Sequence, residues 1–191
     1  MTQNFVFTLT DGEKSYLLDL AKLSIARSLK KEYSESSLPA PPGGHLQEGL
    51  GAFVTLKKGG RLRGCIGRLS DTAPLFLTVS RMALAAAFND PRFPAVTEAE
   101  FEGLSYDISI MGPIQKCPDP EQIIVGTHGL IMKQGLRQGL LLPQVPVEQK
   151  WTREQFLTQT CAKAGLPPDT WKKAWKSDGA ELYWFEAVVI G

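Results

Sequence analysis

The sequence predicts an α+β fold built on antiparallel sheets. Helix patterns and strand patterns come in separate runs along the chain instead of alternating as β-α-β units, and this order is typical of antiparallel sheets. Two pairs of strand patterns are each joined by a short turn that contains glycine, as in β-hairpins. The 191 residues, 43% of them hydrophobic, are enough to bury a core, so we expect one domain over residues 1–191, whole or split into two lobes.

Cap and turn residues divide the chain into elements. Thr10 and Glu13 have the spacing of a capping box, which opens a helix, and prolines and glycines predict a loop over 34–49. Residues 75–88 are apolar on nearly all sides, so we expect a buried helix there. The other predicted elements are a helix over 10–33, a short helix opened by Thr97 and Glu100, a helix over about 152–165, and strands over 51–56, 61–67, 104–110, 130–133, 139–142 and 182–190.

Charge and composition exclude several classes of protein. With 21 Lys and Arg against 20 Asp and Glu, the chain is not a globally basic nucleic-acid binder, although a local basic patch is compatible with this charge. The longest apolar run, 82–88, is far shorter than the ~18 residues of a membrane span. Residues 1–4 lack the features of a secretory signal, so we expect a cytoplasmic protein.

Cysteine and histidine spacing argues against disulfides, metals and cofactors. The three cysteines are odd in number and far apart, so neither a disulfide framework nor a redox pair fits. His45 and His128 stand alone and lack the spacing of zinc ligands. No phosphate-loop, dinucleotide or hydrolase-elbow motif is present, and we expect neither a metal nor a cofactor.

The segment 61–67, Arg-Leu-Arg-Gly-Cys-Ile-Gly, has the most unusual composition. A thiol beside guanidinium groups ionises more readily than an isolated one, which would make a nucleophile available near neutral pH. Glycines in a strand are expected where a backbone or a ligand approaches closely, which concerns Gly64 and Gly67. If side chains alternate regularly, one face carries Arg61, Arg63 and Cys65, and the other carries Leu62 and Ile66.

The same segment has plainer interpretations. Cys65 could be a small core residue of a central strand, as most free cysteines are. The positive charges of residues 57–68, which include Arg61, Arg63 and Arg68, could hold a phosphate backbone or an anionic cofactor. Lysines at a hairpin tip, however, commonly protect an edge strand, and we favour that interpretation for the two lysines of this stretch.

Candidate groups elsewhere could complete a site. His128, in a glycine-flanked turn, is a candidate base, and Asp107 on the polar side of its strand could accept a proton or pair with Arg63. Asp90 and Arg92, in a stiff turn after the buried helix, could line a cleft or only reverse the chain. Of the remaining thiols, we expect Cys161 in the core, whereas Cys117, before a proline in a connection, could be exposed.

The chain resembles the AMMECR1 family. Residues 62–67 match the hexapeptide LRGCIG that is characteristic of this family. Two positions depart from the family pattern, with Asp107 where Glu is usual and Pro146 where Ala is usual. Further matching segments are 51–56, 86–94, 126–130, 139–145 and 161–167.

The resemblance implies an α+β fold of two lobes, each with an antiparallel sheet flanked by helices and a cleft between them. We expect a larger lobe over 1–112 and 180–191 and a smaller lobe over 113–179. The hexapeptide is expected to face the cleft, which has been thought suited to a large substrate, either RNA or protein. In prokaryotes the family is associated with a Memo-like protein and a radical-SAM protein, in the AmmeMemoRadiSam system.

Three functions remain open at this point. The first is an enzyme or enzyme subunit that uses Cys65 as an activated thiol with Arg63 and either His128 or Asp107. The second, which we place slightly ahead, is a non-catalytic module whose cleft binds RNA or protein. The third is an assembly subunit that recognises a Memo-like partner. The ligand-binding residues expected for the second are Arg61, Leu62, Arg63, Gly64, Ile66, Gly67, Arg68, Asp90 and Arg92.

Overall fold

Helix α1 covers Asp11–Leu29 and begins at the predicted capping box. The structure is a computed structural model, and it describes residues 8–172 and 179–191. The Thr10 hydroxyl accepts the Glu13 N–H, and the Glu13 carboxylate accepts the Thr10 N–H at 2.8 Å. These two bonds satisfy helix N–H groups that have no partner within the helix.

The chain divides into two compact units. The larger unit contains the described residues up to Met111 and also Val188–Gly191, and the smaller unit contains the described residues of Gly112–Ala187. After α1, the larger unit consists of β1 (Ala52–Lys58), β2 (Arg61–Arg68), α2 (Leu75–Phe88), α3 (Glu98–Phe101) and β3 (Leu104–Met111).

In the larger unit, β1 is the central strand of three and pairs antiparallel with β2 on one side and β3 on the other. One face of β1 is fully covered, since Ala52, Val54 and Leu56 are 0% exposed. Helix α2 packs on this face, and none of its residues is exposed, as the apolar pattern predicts. The buried Ser24 and Ser80 hydroxyls join α1 to α2 at 2.7 Å.

The loop before β1 contains more regular structure than its composition predicts. Short 3-10 helices form at Glu35–Ser37 and Gly44–Gln47. Such single turns need only local hydrogen bonds, and Gly44 provides the positive φ of 63° at the start of the second one.

The smaller unit is built on its own antiparallel strands. Its elements are β4 (Gln115–Lys116), β5 (His128–Gln134), β6 (Arg137–Leu141), α4 (Gln144–Glu148), α5 (Arg153–Lys163) and β7 (Ala180–Ile190, which ends in the larger unit), with 3-10 helices at Pro120–Gln122 and Thr170–Lys172. Strand β5 pairs with β6 and β7, and β4 pairs with β7.

The core of the smaller unit contains both of its cysteines. Cys161 of α5 is 0% exposed, as predicted, and packs with Phe156 and Leu157. Cys117, whose position before a proline left exposure open, is only 4% exposed. It belongs to the same apolar cluster as α5, and a cysteine behaves there as a small hydrophobic side chain. The predicted α+β class with antiparallel pairing is confirmed.

Candidate functional site

Strand β2 contains one residue more than the stretch of β1 with which it pairs. Gly64 lies opposite Leu56, but the next pair joins Leu62 to Lys57, so Arg63 has no residue opposite to it. A bulge of this kind interrupts the alternation of side chains between the two faces of a sheet. The predicted regular alternation through this segment is therefore wrong.

The bulge separates residues that we expected on one face. Directly opposed residues share a face of a sheet, so Cys65 lies with Thr55. Leu62 lies on that same face, because it is opposite Lys57, two residues along β1 from Thr55. The residues on the α2 side are Arg61, opposite Lys58, and Ile66, opposite Val54, while Arg63 reaches α3.

Both glycines of the segment lie where other groups approach closely, as predicted. A Cβ on Gly64 would overlap the Ala86 carbonyl oxygen, so the backbone of α2 packs directly on β2 here. A Cβ on Gly67 would overlap the ring of Phe53, which lies across it from β1. The glycines let a helix backbone and an aromatic ring approach the strand closely.

The face of the larger unit's sheet opposite α2 is partly accessible, around Leu62, whereas Ser109 of β3 on the same face is 5% exposed. Along β1, the buried residues of the α2 side alternate with half-buried ones on this face, and Leu62 is 45% exposed. The side chain of Asp107, which lies on the same face in β3, is 32% exposed. We call this surface the thiol face, and its members are Phe53, Thr55, Lys57, Leu62, Cys65 and Asp107.

The Cys65 thiol receives a hydrogen bond on this face. Thr55 Oγ1 donates to Cys65 Sγ at 3.2 Å. Asp107 lies opposite Thr55 on its other side, so the three residues form a row across the sheet. Cys65 and Asp107, at the two ends of this row, are separated by two strand spacings, which is about 10 Å between their Cα atoms. The Asp107 carboxylate forms its ion pair with Lys57, whereas we predicted Arg63 as its pairing partner.

The backbone of Cys65 is bound from the outer edge of β2. Asp90 Oδ2 accepts the Cys65 N–H at 2.8 Å, and Arg92 Nη2 donates to the Cys65 carbonyl oxygen at 3.1 Å. Arg92 also binds the Asp90 carboxylate through Nε and Nη2, at 2.9 and 2.7 Å. The turn after α2 therefore takes the place of a neighbouring strand at this one residue, which goes beyond the expected chain reversal.

Asp90 is ionised although it is buried. It is 4% exposed, and such burial alone would favour the neutral acid. The Arg92 guanidinium, followed by the backbone N–H groups of Cys65 and Arg92, outweighs burial and holds the pKa of Asp90 far below its usual range. The pair at the edge of β2 is therefore charged on both sides at neutral pH.

Arg63 is a buried structural cation. It is 8% exposed, and it binds both carboxylate oxygens of Glu100 in α3, through Nε at 2.9 Å and Nη2 at 3.0 Å. Its Nη2 also donates to the Pro94 carbonyl oxygen at 2.8 Å. This hydrogen bonding lowers the pKa of Glu100 to about 2. Nε and Nη2 of the guanidinium are engaged in this way, whereas Nη1 is buried and has no hydrogen-bond partner in the described part of the chain.

One aromatic ring connects the two arginine pairs. The guanidinium carbons of Arg63 and Arg92 lie 5.9 and 5.5 Å from the centre of the Phe93 ring, within the range of cation–π attraction. Neither Phe93 nor Thr55 was singled out from the sequence as a site residue. Glu100 was visible only as a capping residue, a role that it also fills by accepting the Thr97 N–H.

Two of the three remaining cations of the segment, Arg68 and Lys58, lie near acids of the same unit. Arg68 is 58% exposed at its side chain and lies 3.4 Å from Asp71. Lys58 shares Glu100 with Arg63, at 3.2 Å. Arg61 is exposed at the start of β2, on the α2 side. Most of the predicted basic patch is thus divided among separate ion pairs.

His128 belongs to the smaller unit, at the start of β5. Its Nδ1 accepts the Ile124 N–H at 3.0 Å, so a neutral ring carries its proton on Nε2. The ring stacks on Trp184 with 4.5 Å between centroids. Burial lowers the pKa of His128 below its usual value, although Glu186 on the neighbouring strand opposes this effect.

Comparison with known proteins shows the same family over most of the chain. A profile of the AMMECR1 family matches residues 18–190. Protein MK0488 of Methanopyrus kandleri is 42% identical over 96% of this chain and 89% of that protein. Protein PH0010 of Pyrococcus horikoshii is 40% identical over 97% of this chain and 92% of that protein. Its crystal structure, which describes it as uncharacterized, aligns with a TM-score of 0.80 at 37% identity over 96% of this chain and 93% of that chain.

The fold and the site define an α+β protein in which one sheet face carries a half-buried cysteine whose backbone is held by an Asp–Arg pair. Given the family match and relatives that are about 40% identical over nearly its whole length, the chain belongs to the AMMECR1 family. Within residues 8–172 and 179–191, no helix has both the length and the apolar character needed to cross a membrane.

Proposed function

We propose that the thiol face is a non-catalytic binding surface for a segment of a partner protein. The observation that carries this proposal is the local accessibility around Leu62, which is 45% exposed beside a half-buried thiol and a half-buried aromatic ring. Apolar and aromatic side chains with a charged pair beside them, here Lys57 and Asp107, are typical of a protein interface, whose centre is apolar and whose rim is polar. Leu62 is its most exposed apolar side chain.

The contacts of Cys65 favour binding over nucleophilic catalysis. A cysteine nucleophile is normally activated by a base within hydrogen-bond reach. The group that reaches Sγ is the Thr55 hydroxyl, which donates to it and is not a base. Asp107 is in the same row of the sheet but one strand further away, and it is paired with Lys57.

The cations of the larger unit favour a protein ligand over RNA. Binding to a phosphate backbone depends on basic side chains that can exchange counterions for phosphates. Arg63 is engaged with Glu100, Arg92 with Asp90, and Lys57 with Asp107. Their ion pairs would have to be broken before they could bind phosphate.

The family resemblance suggests which partner to test. We propose the Memo-like protein of the AmmeMemoRadiSam system as the first candidate and its radical-SAM protein as the second. We also propose that the protein works in the cytoplasm, in keeping with three cysteines that are all free thiols.

Two matched leucine variants test the proposal. Leu62→Glu places a charge on the thiol face, whereas Leu136→Glu places the same charge at a fully exposed site, 105% accessible, between β5 and β6. Isothermal titration with the Memo-like protein of the same organism should show binding by the wild type and by L136E, with at least about tenfold weaker binding by L62E.

A second probe covers the alternative ligand. Fluorescence anisotropy with a single-stranded RNA oligonucleotide should show no salt-dependent binding at the affinity found for the protein. Equal affinity of wild type and L62E for the Memo-like protein contradicts the proposed surface. Tight RNA binding that weakens with salt would favour the nucleic-acid alternative instead.

One observation favours the enzymatic alternative. The Thr55 hydroxyl donates to Cys65 Sγ at 3.2 Å and so orients the sulfur on the thiol face, as a nucleophile would require. If the protein is an enzyme or enzyme subunit, Cys65→Ser abolishes turnover by the assembled system and leaves partner affinity unchanged. Under the binding proposal, the same variant is nearly silent in both measurements.

A further inference from the structure

The bonds of Asp90 and Arg92 meet at one residue of the thiol face. Strand β2 is at the edge of the sheet, so the backbone groups of Cys65 on its outer side have no neighbouring strand. The Cys65 N–H donates to Asp90 Oδ2 at 2.8 Å, and Arg92 Nη2 donates to the Cys65 carbonyl oxygen at 3.1 Å. Both polar groups of the same residue are thus held by one ion pair.

This arrangement goes beyond protection of a sheet edge. A lysine, a proline or a bulge is enough to discourage pairing at an edge strand. Asp90 is instead a carboxylate that is 4% exposed, and a buried charge needs full compensation by hydrogen bonds. Its compensation comes from Arg92 and from the Cys65 N–H, so the buried charge and the position of Cys65 depend on each other.

The neighbouring contacts explain why Cys65 needs this support. The bulge at Arg63 interrupts the ladder two residues before it. Gly64, between them, has no side chain and is held by the contact of its backbone with Ala86 of α2. The Asp90–Arg92 pair then sets the backbone of Cys65, and the Thr55 hydroxyl sets the direction of its thiol.

We infer that Asp90 and Arg92 are positioning residues that fix the Cys65 thiol on the thiol face. A consequence is that no additional strand can pair with the edge of β2 at Cys65. A ligand therefore contacts the thiol face directly, from the side of the sheet opposite α2. The inference rests on the proposed function only in assuming that a partner binds the thiol face. The placement of the thiol can be measured without any partner.

The measurement is the rate at which iodoacetamide alkylates Cys65 in the native protein, read by peptide mass spectrometry. Asp90→Asn keeps the shape but removes the charge that holds Arg92. Arg92→Lys keeps a positive charge but cannot hold the carboxylate and the Cys65 carbonyl oxygen together. Both variants should speed the alkylation of Cys65 by about fivefold or more, because a residue released from charged hydrogen bonds opens more often.

Asp71→Asn is the matched control. Asp71 is also a largely buried aspartate with an arginine neighbour, Arg68, and it accepts a backbone N–H, that of Ala73, at 3.0 Å. It does not contact Cys65, so a general loosening of the larger unit would appear in this variant as well. We expect its Cys65 rate to match the wild type.

Two results would overturn the inference. One is a Cys65 rate in both D90N and R92K that stays within twofold of wild type. The other is an equal acceleration in D71N, which would indicate general destabilisation of the unit. A purely electrostatic effect of the aspartate would appear as faster alkylation in D90N with no change in R92K, and this too contradicts positioning. Failure of partner binding in L62E tests the proposed function separately, since no alkylation rate depends on it.

Discussion

Replacing Glu100 with Gln tests the buried ion pair that joins β2 to α3. Gln has nearly the same shape and is also accepted at this position of a capping box, so the variant removes mainly the charge. Glu100 accepts Arg63 Nε and Nη2 at 2.9 and 3.0 Å and Lys58 Nζ at 3.2 Å. Arg63, 8% exposed, would keep the Pro94 carbonyl oxygen and lose its counter-ion.

The size of the effect follows from the pKa of Glu100. Its value of about 2, caused first by the Arg63 hydrogen bond, compares with about 4.3 for a glutamate in an unfolded chain. At about 1.4 kcal/mol for each pKa unit, the difference corresponds to about 3 kcal/mol of stability at neutral pH. The Glu100 side chain is 19% exposed, so solvent screening reduces this figure only slightly. The raised pKa of Arg63 describes the same pair and is not added.

The pH dependence has a definite sign. A carboxylate with a lowered pKa in the folded state contributes its full stabilisation above the unfolded pKa of about 4.3 and loses it as the pH falls toward 2. Urea unfolding followed by circular dichroism should therefore show E100Q about 2–3 kcal/mol less stable than wild type at pH 7, with a smaller difference at pH 3.

Glu98→Gln is the control, because Glu98 is an exposed acid in the first turn of the same helix. Its free energy of unfolding should stay within about 0.5 kcal/mol of wild type. Equal stabilities of E100Q and E98Q at pH 7 would refute the conclusion that the buried Arg63–Glu100 ion pair stabilises the fold.

Three further predictions concern other parts of the chain. Gly64→Ala should lower the free energy of unfolding by about 1–3 kcal/mol, since a Cβ would overlap the Ala86 carbonyl oxygen, while Gly103→Ala, whose nearest neighbour lies 3.6 Å away, should change it by less than about 0.5 kcal/mol. Equal effects would show that α2 does not approach Gly64. An NMR titration should give His128 a pKa below 6.5, with the proton of the neutral ring on Nε2. Because the unfolded chain then binds the second ring proton more readily than the folded chain, acidification through that range destabilises the fold. This destabilisation should be smaller in His128→Gln. A midpoint above 6.5 would contradict the burial of the ring. Cys117, whose pKa burial raises to about 11, should react with iodoacetamide only after denaturation, and rapid native alkylation would contradict its place in the core.

Local signals were enough to predict most elements of the fold. The capping boxes of α1 and α3 depend on residues three positions apart, so they are visible in the sequence and are present in the structure. The same is true of the apolar helix α2, because a helix without a polar face must be covered. The close approach at Gly64 was predicted as well, although its cause, the Ala86 carbonyl, was not.

The candidate site depended on information that the sequence pattern does not contain. The bulge at Arg63 exists only relative to the register of β1, and a shift of one residue exchanges the faces of a strand. The Asp90–Cys65 bond joins residues 25 positions apart, and the Arg63–Glu100 pair joins residues 37 positions apart. No local rule connects such residues. The bulge, which the sequence pattern does not show, is the reason why Arg63 and Cys65 were wrongly predicted to share one face.

Protection of Cys65 by a bound partner tests the central claim most directly. Alkylation of Cys65 by iodoacetamide should be measured on the free protein and on its complex with the Memo-like protein of the same organism, with the buried Cys161 as the unreactive reference. If that protein covers the thiol face, the rate falls by about tenfold or more in the complex. A complex that forms while Cys65 reacts as fast as in the free protein would show that the partner binds elsewhere, and it would contradict the proposed surface.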